Sequence, residues 1–206
     1  MPRLWIKVCG MRTREAIEAA AQAGADAVGF VFHEASPRNL TIEAASALQS
    51  YVPAGMERVA VFLHQSQDLV DGVVAAIQPD WVQTDAADLE SLHLPARQRV
   101  LPVFRNGQAR PALLPKRCLL ESARSGAGER ADWQEAAKIT ALTEVVLAGG
   151  LDAGNVGEAV RRVQPFGVDV SSGVESGRGV KDVVKIRDFI RAARAATPVR
   201  MIEEIR

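Results

Sequence analysis

Short apolar runs alternate along this chain with longer stretches in which apolar residues return every three or four positions. "LWIKV" (4–8) precedes "TREAIEAAAQAGA", where Ala16, Ala19, Ala20 and Ala23 share one helical face and Thr13 is placed to cap the start. "DAVGFVF" (26–32) precedes "TIEAASALQSYV", with Thr41 as its cap. "ERVAVFL" (57–63) precedes "SQDLVDGVVAAIQ". "DWVQT" (80–84) is followed only by a weak, short helix around 87–92, and "RVLPVF" (99–104) by a Pro-rich connection without helical period. "RCLLE" (117–121) precedes "DWQEAAKIT", "TEVVLAGG" (143–150) precedes "DAGNVGEAVRRV", and "FGVDVSSG" (166–173) precedes "VKDVVKIRDFIRAAR".

"VGFVF" and "VVLA" are apolar at consecutive positions, as strands covered on both faces must be. Strands that alternate with helices pair in parallel. Eight such units in 206 residues predict an α/β protein, a single small (β/α)8 TIM barrel over 1–206, with "TPVRMIEEIR" as a short tail from about residue 197. The rival, an open doubly wound sheet, would carry a Gly-rich first turn, and "CGMRTR" does not have the G-x-G-x-x-G spacing. No composition break or low-complexity linker divides the chain.

Composition narrows the class. At 48% hydrophobic the chain can fill a substantial core. Its 25 basic residues equal its 25 acidic ones, so it has no basic excess to suit nucleic acid. The apolar runs are too short for a membrane span, and "MPRLWIKVCG" has no signal-peptide layout. Two cysteines are too few for a disulfide framework, which makes the cytoplasm the expected compartment. Monomer and homodimer both remain open.

In such a barrel the chemistry lies at the C-terminal ends of the strands. That rule selects Cys9, the loop after Phe32, His64, Gln83–Asp85, Phe104–Arg105, Glu121, Ala148–Gly150 and Asp169–Gly173. Gly149 and Gly150 in "LAGGL", and Asp169, Ser171, Ser172 and Gly173 in "DVSSGVE", end strands seven and eight, where barrel phosphate sites are built. Glycines admit close approach of an anion to backbone N–H groups, and the serine hydroxyls can donate to it. A third Gly-rich loop, "SGAGER", carries Gly126 and Gly128 and can close over the same end. Glu121 is either a solvated loop residue or an acid–base group facing Cys9 across the mouth. Cys118, at the other end of its strand, reads as packing. Arg38 is either an exposed loop residue or a fork for a substrate carboxylate. Gln83 and Asp85 are candidates for substrate binding, and Asp85 is also an alternative acid. Lys7 points to the same side as Cys9, one layer deeper, as a structural ion pair or a source of positive potential for the thiol. His33, His64 and His93 lack metal-ligand spacing, so no metal site is expected, and no nucleophile elbow is present.

Two blocks carry a resemblance. "IKVCGMRTREAIEAAAQAGADAVGFVFHEASPRNLT" resembles the opening of the phosphoribosylanthranilate isomerase family, and "LAGGLDAGNVGEAVRRVQPFGVDVSSGVESGRGVKD" resembles its close. The likeness covers essentially the whole chain. It implies a cofactor-free (β/α)8 barrel of tryptophan biosynthesis that converts an aminoaldose phosphate to an aminoketose by an Amadori rearrangement. It also implies Cys9 as general base, Arg38 on the anthranilate carboxylate, and the "AGG" and "SSG" segments on the phosphate. The chain departs from the family pattern twice. Glu121 stands where the family has an aspartate acid, and "VQTDA" puts Asp85 where the family has a histidine. Those departures keep open a paralogue acting on another aminoaldose phosphate, or a barrel that binds a phosphorylated ligand without turnover. The thiol needs a locally lowered pKa, or activity must rise towards alkaline pH.

Overall fold

The computed structural model describes residues 3–108, 110–122 and 131–196. The predicted runs become β1 (Trp5–Cys9), β2 (Ala27–Phe32), β3 (Glu57–Phe62), β4 (Trp81–Asp85), β5 (Arg99–Arg105), β6 (Arg117–Glu121), β7 (Glu144–Leu147) and β8 (Gly167–Val170). They pair in parallel in sequence order, and β8 returns to β1, so the sheet is a closed barrel. Helices α1 (Arg14–Ala23), α2 (Ile42–Gln49), α3 (Gln67–Ile77), α4 (Trp133–Ile139), α5 (Val156–Val163) and α6 (Val183–Ala195) complete the units. The weak helix after β4 is a single 3-10 turn, Asp88–Ser91, and no helix follows β5 among the described residues. Thr13 and Thr41 do cap α1 and α2, each accepting a bond from the amide three residues on.

The pleat sorts the side chains. Ile6 and Val8 face the helices, whereas Trp5, Lys7 and Cys9 face the barrel axis. The interior is packed by Ala27, Val59, Leu101, Val103, Leu119 and Val146, while the larger core lies between strands and helices. The N-terminal end is closed by Trp5, Trp81 and Phe166, with the Arg117 guanidinium 3.8 Å from the Phe166 ring centroid and 4.9 Å from that of Trp81. Apolar filling below leaves the polar inward positions at the other end, where the strands finish.

Several boundaries differ from the sequence reading. The last strands stop at Leu147 and Val170, because Gly149 (φ 87) and Gly150 (φ 62) turn the chain and Ser172–Val174 forms a 3-10 turn. β1 extends to Cys9, β4 to Asp85 and β5 to Arg105, which puts all three residues on the ladder itself. A small antiparallel ribbon, β9 (Glu175–Gly177) with β10 (Val180–Lys181), precedes α6. It was not anticipated. The expected tail from about 197 lies outside the described residues.

Closure of the barrel depends on a close approach at the β8–β1 seam. A Cβ on Gly167 would stand 2.6 Å from the Trp5 carbonyl oxygen. Gly167→Ala must push backbone apart there, and should cost about 1–3 kcal/mol by the usual penalty for overpacking. A lowered urea midpoint with an unchanged slope is the expected result. An unchanged midpoint would show that the seam is not the constraint described.

Candidate active site

Inward positions at the C-terminal strand ends surround a cavity of about 220 Å³. It is lined by Cys9 from β1, Gln83 and Asp85 from β4, Arg105 from β5, Glu121 from β6 and Asp169 from β8, with Arg38 and Ser171 from loops. A narrow cleft of about 30 Å³ adjoins it through Glu121, Asp169 and Ser171, walled by Gly149, Gly150 and Ser172. Larger grooves of about 680 and 780 Å³ open at the opposite, N-terminal end, away from this set of ionisable side chains.

Cys9 is buried where β1 ends. Gly10 turns the chain with φ 81, and a Cβ there would lie 2.7 Å from Cδ of Arg38. The Cys-Gly pair therefore both stops the strand and seats the arginine. Gly29, on β2, does the same inside: its Cβ would come within 2.9 Å of the Cys9 sulfur. Beneath Cys9, Lys7 is fully buried and donates to Asp169 Oδ1 at 2.9 Å. Burial disfavours the Lys7 ammonium, but Asp169 and the Cys9 sulfur outweigh it and hold the amine above its ordinary value. Burial also pushes the Cys9 thiol up; Lys7 and Lys181 pull against that rise, and Asp169 adds to it. Both readings of Lys7 therefore hold, as an ion pair and as positive potential, yet the thiol is not lowered.

Arg38 is buried rather than exposed. Its Nε and Nη2 donate to the two oxygens of Glu175 at 2.7 and 2.9 Å. Glu175 also accepts from Lys181 Nζ at 2.8 Å and from the Gly179 amide at 3.0 Å. Burial alone would raise the Glu175 carboxyl, but the bonds from Arg38 and Lys181 bring it down to about 2. The ribbon thus aims Arg38. Across the mouth Arg105 binds Asp85 through Nε and Nη2 at 3.2 and 2.6 Å, and Glu121 through Nη1 at 3.0 Å. Gln83 has a buried Oε1 with no partner among the described residues.

The expected residues do not all share one role. Cys9, Arg38, Gln83, Asp85, Glu121, Asp169 and Ser171 meet in the cavity. The Ser171 hydroxyl donates to the Cys9 carbonyl at 3.3 Å, tying β8 to β1. Lys7 lies below the cavity. Gly173 serves loop contact, since a Cβ there would fall 1.9 Å from the Leu151 carbonyl oxygen. Gly126 and Gly128 lie outside the described residues. Cys118 is fully buried in the core, its thiol pushed up to about 11 by burial. Two residues were missed, Glu175 and Lys181, and Arg105 was selected at its strand end without a role. "DVSSGVE" ended on Glu175, but nothing local linked it to a partner 137 residues away.

Comparison with known proteins places the barrel in a family. The family model for N-(5'-phosphoribosyl)anthranilate isomerase matches residues 6–192. A relative of that name from Rhodopseudomonas palustris is 39% identical over 93% of this chain and 98% of its own length. The crystal structure of phosphoribosyl anthranilate isomerase from Thermotoga maritima has a TM-score of 0.81 at 30% identity, covering 93% of this chain and 99% of that one. A further isomerase structure, in complex with reduced 1-(o-carboxyphenylamino)-1-deoxyribulose 5-phosphate, has a TM-score of 0.75 at 28% identity, over 93% and 99% of the two chains. With its barrel, its mouth and these matches, the chain belongs to the N-(5'-phosphoribosyl)anthranilate isomerase family.

Proposed function

We propose that this chain isomerises N-(5'-phosphoribosyl)anthranilate to 1-(o-carboxyphenylamino)-1-deoxyribulose 5-phosphate, a step of tryptophan biosynthesis. The observation that carries this reading is one cavity in which a buried thiol, a carboxyl and an oriented arginine meet beside a cleft of two glycine-rich loops. Gly149, Gly150 and Ser172 take the phosphate. Arg38, held in plane by Glu175, takes the anthranilate carboxylate. Gln83 Oε1 is the acceptor for the substrate's anilino N–H.

Glu121 gives its proton to the ribose ring oxygen as the C1–O bond breaks, leaving a protonated Schiff base. The Cys9 thiolate then removes the proton on C2, and the C–H electron pair moves to form the enolamine. Tautomerisation delivers a proton to C1 and leaves the ketone at C2. Asp169 fixes Lys7 beneath the sulfur, where its charge favours the thiolate. No redox partner is consumed, and the phosphorylated substrate is the only partner that the chemistry needs. No helix among the described residues is long and apolar enough to cross a membrane. Two cysteines without a disulfide suit a reducing compartment, the cytoplasm.

Turnover of freshly generated substrate, followed by loss of anthranilate fluorescence, tests the assignment. Wild type should turn over, and Cys9→Ser and Glu121→Gln should each lose about two orders of magnitude, the usual worth of an acid or base. A wild type that binds the phosphorylated product without turnover would sink the assignment and leave a binding barrel. The raised thiol gives a second expectation. Alkylation of Cys9 by iodoacetamide should still accelerate above pH 9, and Lys7→Met should move its midpoint higher, because the lost ammonium favoured the thiolate. A midpoint near pH 7 would contradict the burial argument.

A further inference from the structure

Arg105 stands between two carboxylates of the cavity wall, Asp85 and Glu121. Asp85, Arg105 and Glu121 occupy the last residues of adjacent strands, and Arg105 lies opposite Glu121 in the β5–β6 register. Their side chains are only 11–13% exposed. Asp85 takes two of the three bonds that the guanidinium makes here, and Glu121 takes one. A planar fork pinned at two points has its remaining donor aimed in one direction.

We propose that Arg105 is a positioning residue for the proton donor Glu121, and that Asp85 sets how strongly Arg105 pulls on it. The inference rests on the reading of Glu121 as the acid. Glutamate has one more rotatable bond than aspartate, so an acid at this position needs an anchor to stay at the ring oxygen. A guanidinium supplies the anchor but also favours the ionised carboxylate, which has no proton to give. Asp85 offsets that charge, so Glu121 is held without being trapped in its ionised form. Among the described residues, the other ionisable groups that line the cavity are Cys9 on β1, Asp169 on β8, and His33, Arg38 and Arg178 at the rim. Asp169 is engaged by Lys7 and Arg38 by Glu175.

The pH profile reads this directly. The competent enzyme has a thiolate and a protonated carboxyl. On this proposal the acid limb of kcat/KM belongs to Glu121 and the alkaline limb to Cys9, and the plateau scales with the ratio of the two ionisation constants. Asp85→Asn leaves Arg105 unopposed, so the acid limb should move down by about one pH unit and the plateau should fall about tenfold. Arg105→Met should move the limb up by about one unit. Arg105→Lys keeps the charge but loses the fork, so it should lower kcat while leaving the limb in place. Opposite displacements in Asp85→Asn and Arg105→Met are a signature that a merely structural role does not give. If both limbs stay put, or move the same way, while Glu121→Gln is inactive, the inference is overturned and the acid reading survives. If Glu121→Gln turns over like wild type, the acid reading fails first and the inference falls with it.

Discussion

The buried ion pair between Lys7 and Asp169 joins the first and last strands of the barrel, at positions directly opposite one another in the ladder. Taking both charges out of water is costly, and the 2.9 Å bond returns only part of that cost. Removing either partner alone would leave an uncompensated buried charge, worth about 3–5 kcal/mol. A hydrophobic pair would close the seam as well, so stability does not explain the choice. The explanation lies one layer above. Lys7 is the cation beneath Cys9, and of the charges near the thiol it opposes most the rise that burial imposes.

The same device recurs twice at the mouth, each time with an arginine fork on a carboxylate. Arg38 is set by Glu175, which Lys181 and the Gly179 amide hold in turn. Arg105 is set by Asp85 and reaches Glu121. In both, a side chain with many rotamers is fixed before substrate arrives, so its ordering entropy is met by folding rather than by binding. Glycine makes the room. Gly10 and Gly29 stand at two of the closest approaches around Cys9 and Arg38, and neither position tolerates a Cβ without displacement.

What could be read from the chain follows from the range of each interaction. Strand and helix periodicity is local, so eight strands, their order and the caps at Thr13 and Thr41 were legible. The rule that barrel chemistry sits at strand ends then placed Cys9, Gln83, Asp85, Glu121 and Asp169 at the cavity. Partners were not legible. Arg38 and Glu175 lie 137 residues apart, and no local pattern records that they meet. Nor does the sequence say whether burial or a neighbouring cation governs a thiol: Lys7 argued for lowering, and the depth of the site reversed the sign. The glycine turns after β7 were visible as punctuation, but their positive φ values ended the strand earlier than its apolar run suggested.

Glu121 and Asp85 look in the sequence like two separate departures from the family pattern. The structure joins them through one guanidinium. Asp85 adds negative charge to the wall beside Glu121. Alone, that would repel a second carboxylate and loosen it. Arg105 binds both carboxylates, so Glu121 gains an anchor and Asp85 gains a counter-ion. The three residues are therefore one unit, and a change at any of them acts on the proton that Glu121 carries.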